Sequence, residues 1–422
     1  MALAIDPQQV SAERSAHLAA RAGRLLFVNG ADTQHVAAGV SYVAKGLGHD
    51  VHVMVTPEAI LVTVGTRERF TTRLGPEFSA PSVNMERLAA VETLIDDIRG
   101  GLNDADIIEQ RLNAAEFSSQ AYPNLIVVIG VGITTASLAK LFEASWSVVA
   151  AAFVAGIISA ALRKIFAHFP LNQFVSVFIV AALSGVTAIV SLKLVPDASP
   201  VLALTAAGMI LVPGVPLING IREISSGNAA NGVARLATGA ASTLTIAFAL
   251  YAVGSLTGAT LPIDQGPGSL SSVQDLLFAG LAAAGFAITF NVSPRAVGFC
   301  IAAGMASHAL RTSLEQTGMT LPMASFAGAF AAGMVARLAA RVHRAPAVTF
   351  AFPGVVALIP GSYGFRAGIG GLAIMTQGSA ASPLLVSTTI ALAITTMVTT
   401  TAIGIAIALS LAGSGKGTRS IH

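Results

Sequence analysis

The chain has few charged residues and a single cysteine, and each shortage excludes a class of protein. Asp, Glu, Lys and Arg make up 11% of the 422 residues, whereas hydrophobic residues make up 54%. Soluble domains carry about 25% charged residues, so a mean hydropathy of +0.74 indicates that most of the chain faces lipid. The single cysteine, Cys300, excludes an internal disulfide and a cysteine-rich metal site, and we interpret it as inert packing.

The sequence also lacks the marks of a nucleic-acid-binding, metal-binding or secreted protein. The net charge is +3, but the basic residues lie at the ends of apolar runs, where they set membrane orientation. His49 and His52 have the wrong spacing for one strand face, so we interpret them as surface histidines. No Gly-rich phosphate loop follows a strand in residues 1–120, and we expect neither a metal nor a cofactor. The N-terminal stretch MALAIDPQQVSAERSAHLAARAG has no apolar core, so we expect no secretory signal.

Residues 1–120 hold most of the charge and predict a small cytoplasmic α+β domain. Two helices are expected in SAERSAHLAARAGRLLFVNG and DTQHVAAGVSYVAKGLG, the second started by Asp32 or Thr33 and stopped by Gly46 or Gly48. Three short strands are expected in DVHVMVT, AILVTVG and ERFTTRL. Two more helices follow in SVNMERLAAVETLIDDIRGG and DADIIEQRLNAAEF.

From residue 124 onward the apolar runs are long enough to cross a bilayer, which takes roughly 20 residues. The sequence predicts ten spans, at about 124–142, 145–162, 170–192, 199–219, 233–257, 272–291, 295–311, 320–339, 346–366 and 384–411. With the N-terminal domain inside the cell, the cytoplasmic connections hold Arg163, Lys164, Arg222, Arg235, Arg295, Arg337, Arg341, Arg344, Lys416 and Arg419. The outer connections hold only Lys140, Lys193, Arg311 and Arg366. This bias predicts cytoplasmic N- and C-termini.

The two halves of the membrane region carry the same Pro-Gly motif. LVPG begins at residue 211 and LIPG at residue 358, an offset of 147, and the first and sixth spans begin at about 124 and 272. Because five is odd, a five-span unit used twice runs through the membrane in opposite senses. The pattern therefore predicts an inverted repeat, 121–260 and 261–422, of the kind found in secondary transporters that bind substrate near the midplane.

Proline and glycine in the fourth and ninth spans predict broken helices that form a substrate site. Proline disrupts a helix, and the freed peptide groups must line a protein or water cavity. They match the carboxylate and ammonium of a zwitterionic amino acid, whose hydroxyl Asn219 and Ser362 can reach. The candidate residues are Pro213, Gly214, Pro216, Asn219, Arg222, Glu223, Pro353, Gly354, Pro360, Gly361, Ser362 and Arg366. The alternative is that these motifs are ordinary kinks.

The charged candidates keep alternative interpretations. Arg222 at the cytoplasmic edge is also suited to anchor its span, whereas Arg366, on the predicted outer side, is suited to a structural role or to a substrate carboxylate. Glu223, Asp275, His308 and Glu315 are the few titratable groups near a pathway, and the sequence does not single out one of them as a proton carrier.

Three blocks of this chain resemble the threonine/serine exporter family. They are GADTQHVAAGVSYVAKGLGHDVHVMVTPEAILVTV, VPGVPLINGIREISSGNAANGVAR and FPGVVALIPGSYGFRAGIGGL. The resemblance implies a ten-span inner-membrane exporter of small hydroxy amino acids, driven by the proton motive force, with Pro213, Gly214, Pro216, Asn219, Arg222 and Glu223 on the family's fourth-span motif. The chain departs from the family pattern at Asp32, at Ala37 and Ala38, and at Asn228, where an acid is expected.

Two other functional classes stay open. A membrane-anchored hydrolase would have to use His35, Ser41, Asp50 or Glu58 of the N-terminal domain, which show no recognisable catalytic spacing. A channel or sensor for small solutes is the other alternative, since the paired Pro-Gly motifs can imitate a filter loop. The expected partners are a small amino acid, the lipid bilayer and protons as the coupling ion, with a homo-oligomer left open and nucleic acid excluded.

Overall fold

The structure, a computed structural model, describes residues 10–65, 70–75, 83–118, 120–192, 200–258, 271–343 and 345–412. The chain divides into two units. The N-terminal unit consists of Met1–Ala121, Glu223–Ala234 and Arg344–Pro346, and the membrane unit of Tyr122–Arg222, Arg235–His343 and Ala347–His422. The expected fold class, a polytopic helical membrane protein with a small N-terminal α+β part, is confirmed.

In the described part of residues 10–120, four helices and three strands lie where the sequence predicts them. They are α1 (Ala12–Val28), α2 (Thr33–Gly46), β1 (Asp50–Val55), β2 (Ile60–Gly65), β3 (Phe70–Leu74), α3 (Met85–Arg99) and α4 (Ala105–Glu116). The strands form one antiparallel sheet in the order β1-β2-β3, with Val53 opposite Val62 and Thr63 opposite Thr72.

Local chemistry explains where these elements begin and which face they bury. Asp32 is the N-cap of α2, and its Oδ1 accepts a hydrogen bond of 2.9 Å from the backbone N–H of His35. Alternate residues of β2, Ile60 and Val62 among them, are buried, as the period of two in a strand requires. They lie under α1, whose Gly23 lets the helix approach Ile60 and Val40 closely.

A cluster of ion pairs joins α1 to α4. Arg21 and Arg24 donate hydrogen bonds of 2.8 and 3.0 Å to the two carboxylate oxygens of Glu116. The hydrogen bond from Arg21 is the main reason that the pKa of Glu116 lies below its usual value, against a smaller opposing effect of burial.

The membrane unit is built from helices that coincide with the predicted runs. They are α5 (Asn124–Leu141), α6 (Trp146–Phe166), α7 (Gln173–Leu192), α8 (Pro200–Met209), α9 (Gly214–Ser225), α10 (Ala229–Thr257), α11 (Ser272–Thr289), α12 (Val297–Gln316), α13 (Leu321–His343), α14 (Val348–Val355), α15 (Gly361–Gln377) and α16 (Pro383–Leu411). The last residues of α9 and the first of α10 belong to the N-terminal unit.

Among the described residues, seven helices are long and apolar enough to cross a membrane, and two bent pairs raise the number to nine. The pairs are α8 with α9 and α14 with α15, which are the predicted fourth and ninth spans. The predicted seventh span coincides with α12, whose C-terminal part carries Arg311 and Glu315 and which is not among the nine. The count of ten spans therefore stays a prediction. The ninth segment is longer than expected, because α15 continues to Gln377.

Helix positions recur in the second half of the membrane unit. Helices α5 and α11 begin at residues 124 and 272, α7 and α13 at 173 and 321, and α8 and α14 at 200 and 348. In each pair the second start lies 148 residues after the first, for example 272 less 124. The packing recurs as well, since α5 packs on α6 and α8 as α11 packs on α12 and α14.

Candidate functional site

Two interrupted helices dominate the membrane unit. The axes of Ala203–Met209 and Gly214–Ser225 differ by 54°, and those of Val348–Leu358 and Gly361–Ala380 by 45°. Pro213 and Pro360 each lie directly before the helix that follows the break. A proline has no N–H to donate and its ring clashes with the preceding turn, which explains why each helix stops there.

The two breaks have the same backbone geometry. The N–H of Gly214 donates to the carbonyl of Val212 across Pro213 at 2.8 Å, and the N–H of Gly361 donates to the carbonyl of Ile359 across Pro360 at 2.7 Å. This bond between residues two apart is that of a γ-turn. The other two predicted prolines lie within helices: Pro216 is in the first turn of α9, where a missing N–H costs nothing, and Pro353 is near the end of α14.

The breaks pack directly against each other. A Cβ added to Gly214 would lie 2.4 Å from Cδ1 of Ile359, and a Cβ added to Gly361 would lie 3.0 Å from the side chain of Val212. The two glycines therefore allow this close approach, because a side chain at either position would require Ile359 or Val212 to shift.

A cleft lies where the breaks meet. It is lined from the first break by Met209, Val212 and Gly214, from the second by Val356, Ala357, Ile359, Gly361 and Ser362, and from neighbouring helices by Leu138 and Phe286. The cleft contains about 310 Å³ of empty space, part of it open to solvent, with room for about one or two water molecules. Its lining is apolar except for Ser362 and the backbone.

Ser362 supplies the polar side chain of the cleft. The residue is 1% exposed, and its Oγ has no hydrogen-bond partner among the described residues. A buried hydroxyl without a partner costs about 1–3 kcal/mol, so this one is suited to a polar group that enters the cleft. Such a group would also meet the N-terminal turns of α9 and α15, where unbonded N–H groups and the helix dipole favour negative charge.

The predicted residues Asn219, Arg222 and Arg366 are buried in the membrane unit but do not line the cleft. Arg222 donates a hydrogen bond of 2.8 Å to Oδ1 of Asn219, and its guanidinium lies 5.9 Å from the centre of the Phe352 ring. Arg366 is 5% exposed and lies 5.8 Å from the centre of the Tyr363 ring. The structure thus places two buried cations on the helices that follow the breaks.

Gly354 and Glu223 have other surroundings. The carbonyl of Gly354 accepts a hydrogen bond of 2.9 Å from Ser307 of α12. Glu223 belongs to the N-terminal unit, where its Oε1 accepts a hydrogen bond of 2.9 Å from the N–H of Thr33 at the start of α2. In the same segment, Nδ2 of Asn231 donates to Oγ1 of Thr33 and to the carbonyl of Val55. Hydrogen bonds of Glu223 and Asn231 therefore hold the segment that connects α9 and α10 against Thr33 and Val55 of the N-terminal unit.

Sequence reasoning considered Asp275 and His308 separately and did not pair them. Nδ1 of His308 lies 3.3 Å from Oδ1 of Asp275, and the aspartate is 5% exposed and the histidine 1%. The hydrolase candidates are not brought together as a nucleophile and its base: Ser41 donates to the carbonyl of Ala37 on its own helix, and His35 pairs with Glu92 of α3. Among the described residues, no group of three His, Cys, Asp or Glu side chains is arranged to hold a metal ion.

Comparison with known proteins decides the family. Residues 17–257 match the family described as "Putative threonine/serine exporter", and residues 275–414 match "Threonine/Serine exporter, ThrE". The chain belongs to the threonine/serine exporter family. As a member of this family with several apolar helices, it is a multi-pass membrane transporter.

Two curated proteins that resemble this chain are shorter than it. The chain is 26% identical to the "Probable succinate transporter subunit YjjP" of Klebsiella aerogenes over 235 residues, which cover 55% of this chain and 89% of the relative. It is 27% identical to the protein of the same name from Escherichia coli K12 over 247 residues, which cover 57% of this chain and 93% of the relative. No solved structure matches the chain.

Proposed function

We propose that this transporter exports threonine, serine or a similar small hydroxy amino acid through the cleft between the two broken helices. The observation that carries the proposal is the meeting of two helix N-termini around one buried, unpartnered hydroxyl, Ser362. Export as the direction rests on membership of the exporter family.

Each part of a hydroxy amino acid has a matching group at the cleft. The N-terminal turns of α9 and α15 suit the carboxylate, and carbonyls at the ends of the preceding helices suit the ammonium. The Oγ of Ser362 can hydrogen-bond to the hydroxyl, and the side chains of Val212, Val356 and Ile359 can pack against the methyl group of threonine. Arg222 and Arg366 would add positive potential from the same two helices.

The cleft is too small in this structure for an amino acid, so transport requires the breaks to separate. Contacts at the breaks support an arrangement in which two inverted repeats move against each other. Gly214 faces Ile359 as Gly361 faces Val212, and residues 214 and 361, like 212 and 359, are equivalent in the two halves. Such a reciprocal pattern is what a two-fold axis produces.

The corresponding helices α5 and α11 also support inversion. Gly130 faces Ile288, whereas Thr134, further along α5, faces Gly285, which is earlier in α11. The two helices therefore run antiparallel where they pack. A pair of equivalent helices in opposite directions is expected for repeats related by an axis in the membrane plane.

The remaining details are also part of the proposal. They are a location in the inner membrane with cytoplasmic N- and C-termini, coupling to the proton motive force, and ten spans. An assembly of more than one chain is included because the curated relatives are named as subunits.

A small dicarboxylate is the second candidate substrate. The relatives are named as succinate transporter subunits, and two helix N-termini at one cleft suit two carboxylates as well as one. An apolar lining would accept the methylene groups of succinate, but a dicarboxylate has no hydroxyl for Ser362 and no need of carbonyl groups.

Transport into proteoliposomes tests the function and separates the two candidates. Vesicles containing the purified protein and loaded with unlabelled L-threonine should take up labelled L-threonine and L-serine by exchange, and L-valine, which has the shape of threonine without its hydroxyl, should compete poorly. Exchange of succinate without exchange of threonine would show that the substrate is the dicarboxylate and not the hydroxy amino acid. No exchange of any of these solutes would reject the proposal.

A further inference from the structure

A buried ion pair lies in the membrane unit outside the cleft lining. Oδ1 of Asp275 on α11 is 3.3 Å from Nδ1 of His308 on α12, and Oδ2 of Asp275 accepts a hydrogen bond of 2.9 Å from the hydroxyl of Thr312. The histidine is 1% exposed and the aspartate 5%. Burial of ionisable groups in a membrane protein is costly, and such groups often mark ion or proton pathways.

The second ring nitrogen of His308 connects the pair to the second break. Nε2 has no hydrogen-bond partner among the described residues, while the backbone of Ala357 lies beside the imidazole without meeting hydrogen-bond geometry. Ala357 is in the 3₁₀ turn Val356–Leu358 and lines the cleft. The residue before His308, Ser307, bonds to the carbonyl of Gly354 in the same interrupted helix. The backbone of Ala357 thus lies between the imidazole of His308 and the cleft.

Few other charges face this pair. On α12, Arg311 and Glu315 lie near Asp275 and contact each other, with Nε of Arg311 3.3 Å from Oε2 of Glu315. Helix α14 has no titratable residue, and Asp275 is the only one on α11. On α5, which packs against α11, the one titratable residue is Lys140 in the last turn. On α13, the titratable residues Arg337, Arg341 and His343 are confined to the C-terminal end, which lies beside Phe299, while the part facing Ser307 and Arg311 is around Gly328.

We propose that Asp275 and His308 form the site that binds and releases the coupling proton of transport, an inference that rests on the proposed function. With His308 protonated, the pair is neutral overall; with His308 neutral, one carboxylate charge stays buried, stabilised by the Thr312 hydroxyl, the imidazole and the nearby Arg311. Histidine changes charge near physiological pH, and the burial of both side chains makes the two protonation states differ in stability.

The proton affects the cleft through the backbone of the second break. A proton from water binds at Nε2 while Asp275 stays ionised and accepts from Nδ1. The new Nε2–H can donate to the carbonyl of Ala357, and this bond is lost when the proton leaves to the water of the other side. Protonation therefore favours one position of the 3₁₀ turn that lines the cleft, which couples the proton to the opening of the substrate site.

Two neutral variants in proteoliposomes test the proposal. His308→Gln and Asp275→Asn keep size and hydrogen bonding but remove titration, and His343→Gln, in an aromatic contact on α13, is the matched control. Accumulation of L-threonine driven by a pH gradient should fall by about tenfold or more in both variants, since coupling free energies of 1–3 kcal/mol are typical. Exchange of threonine at equal pH should persist in all three.

The outcomes distinguish the proton site from the transport function. Gradient-driven accumulation at the unmodified level in both variants would overturn the proton site and leave the proposed function standing. Absence of threonine and succinate exchange by the unmodified protein would reject the function itself. A second measurement needs no variant: L-threonine added to the unmodified protein in weakly buffered detergent should change the number of bound protons, detected with a pH indicator. Binding without proton uptake or release would also overturn the proposal.

Discussion

Ser362 stands out among the individual residues because its hydroxyl is buried where two helices meet and has no hydrogen-bond partner in the part of the chain that the structure describes. The Pro-Gly pair before it made this residue predictable, since a polar residue that follows a break lies in the first turn of the next helix. By contrast, Asp275 and His308 are separated by 33 residues, and only the packing of α11 on α12 pairs them. No local pattern in the sequence carries that information.

Replacing Ser362 with alanine tests its part in substrate choice. Because a net hydrogen bond is worth about 1 kcal/mol, we expect Ser362→Ala to reduce the preference for L-threonine over L-valine by roughly fivefold. The measurement is competition in the exchange assay. Ser184→Ala is the matched control, because Ser184 on α7 is also fully buried with an unpartnered hydroxyl but does not line the cleft. An equal loss of preference in both variants would remove Ser362 from the site.

The two broken helices that form the cleft are interrupted by the same γ-turn. The offset between the motifs at residues 211 and 358 predicted where both helices break. It did not identify which prolines break them, because Pro216 and Pro353 carry the same chemistry as Pro213 and Pro360. Pro216 lies in the first turn of α9, where proline is tolerated, and Pro353 lies inside α14. The lining residues Val212 and Ile359 were also missed, since apolar residues beside a break look like any other lipid-facing residues.

A larger side chain at Gly361 should hold the breaks apart. A Cβ there meets three atoms of Val212 at 3.0 Å, and overpacking of this kind costs about 1–3 kcal/mol. Because exchange requires the breaks to close again as well as to separate, we expect Gly361→Val to lower threonine exchange about tenfold or more while the protein still purifies as a folded species. Gly371→Val on the same helix is the control, since a Cβ at residue 371 meets nothing within 4 Å. Similar exchange rates in the two variants would contradict the role of the close contact.

The whole molecule consists of a membrane unit and an N-terminal unit, and the N-terminal unit includes the segment Glu223–Ala234, which connects two helices of the membrane unit in sequence. Composition alone distinguished the charged N-terminal region from the lipid-facing remainder of the chain, and helical and strand periodicity located nearly every element. The inclusion of Glu223–Ala234 in the N-terminal unit could not be predicted, because polar residues at the end of a span also fit a membrane interface. Hydrogen bonds from Thr33 and Asn231 depend on tertiary contacts nearly 200 residues apart in sequence.

Transported solute is proposed to occupy the cleft between the breaks, and thiol labelling at the cleft tests this directly. Cys300, the single natural cysteine, can be changed to alanine so that an introduced thiol is the only one. In that background, Ser362→Cys reports on the cleft and Ser184→Cys is the control, and both are exposed to a membrane-permeant thiol reagent in proteoliposomes that exchange threonine. If solute occupies the cleft, L-threonine should slow labelling at residue 362 and leave labelling at residue 184 unaffected. Labelling at residue 362 that is unchanged by every transported solute would contradict it.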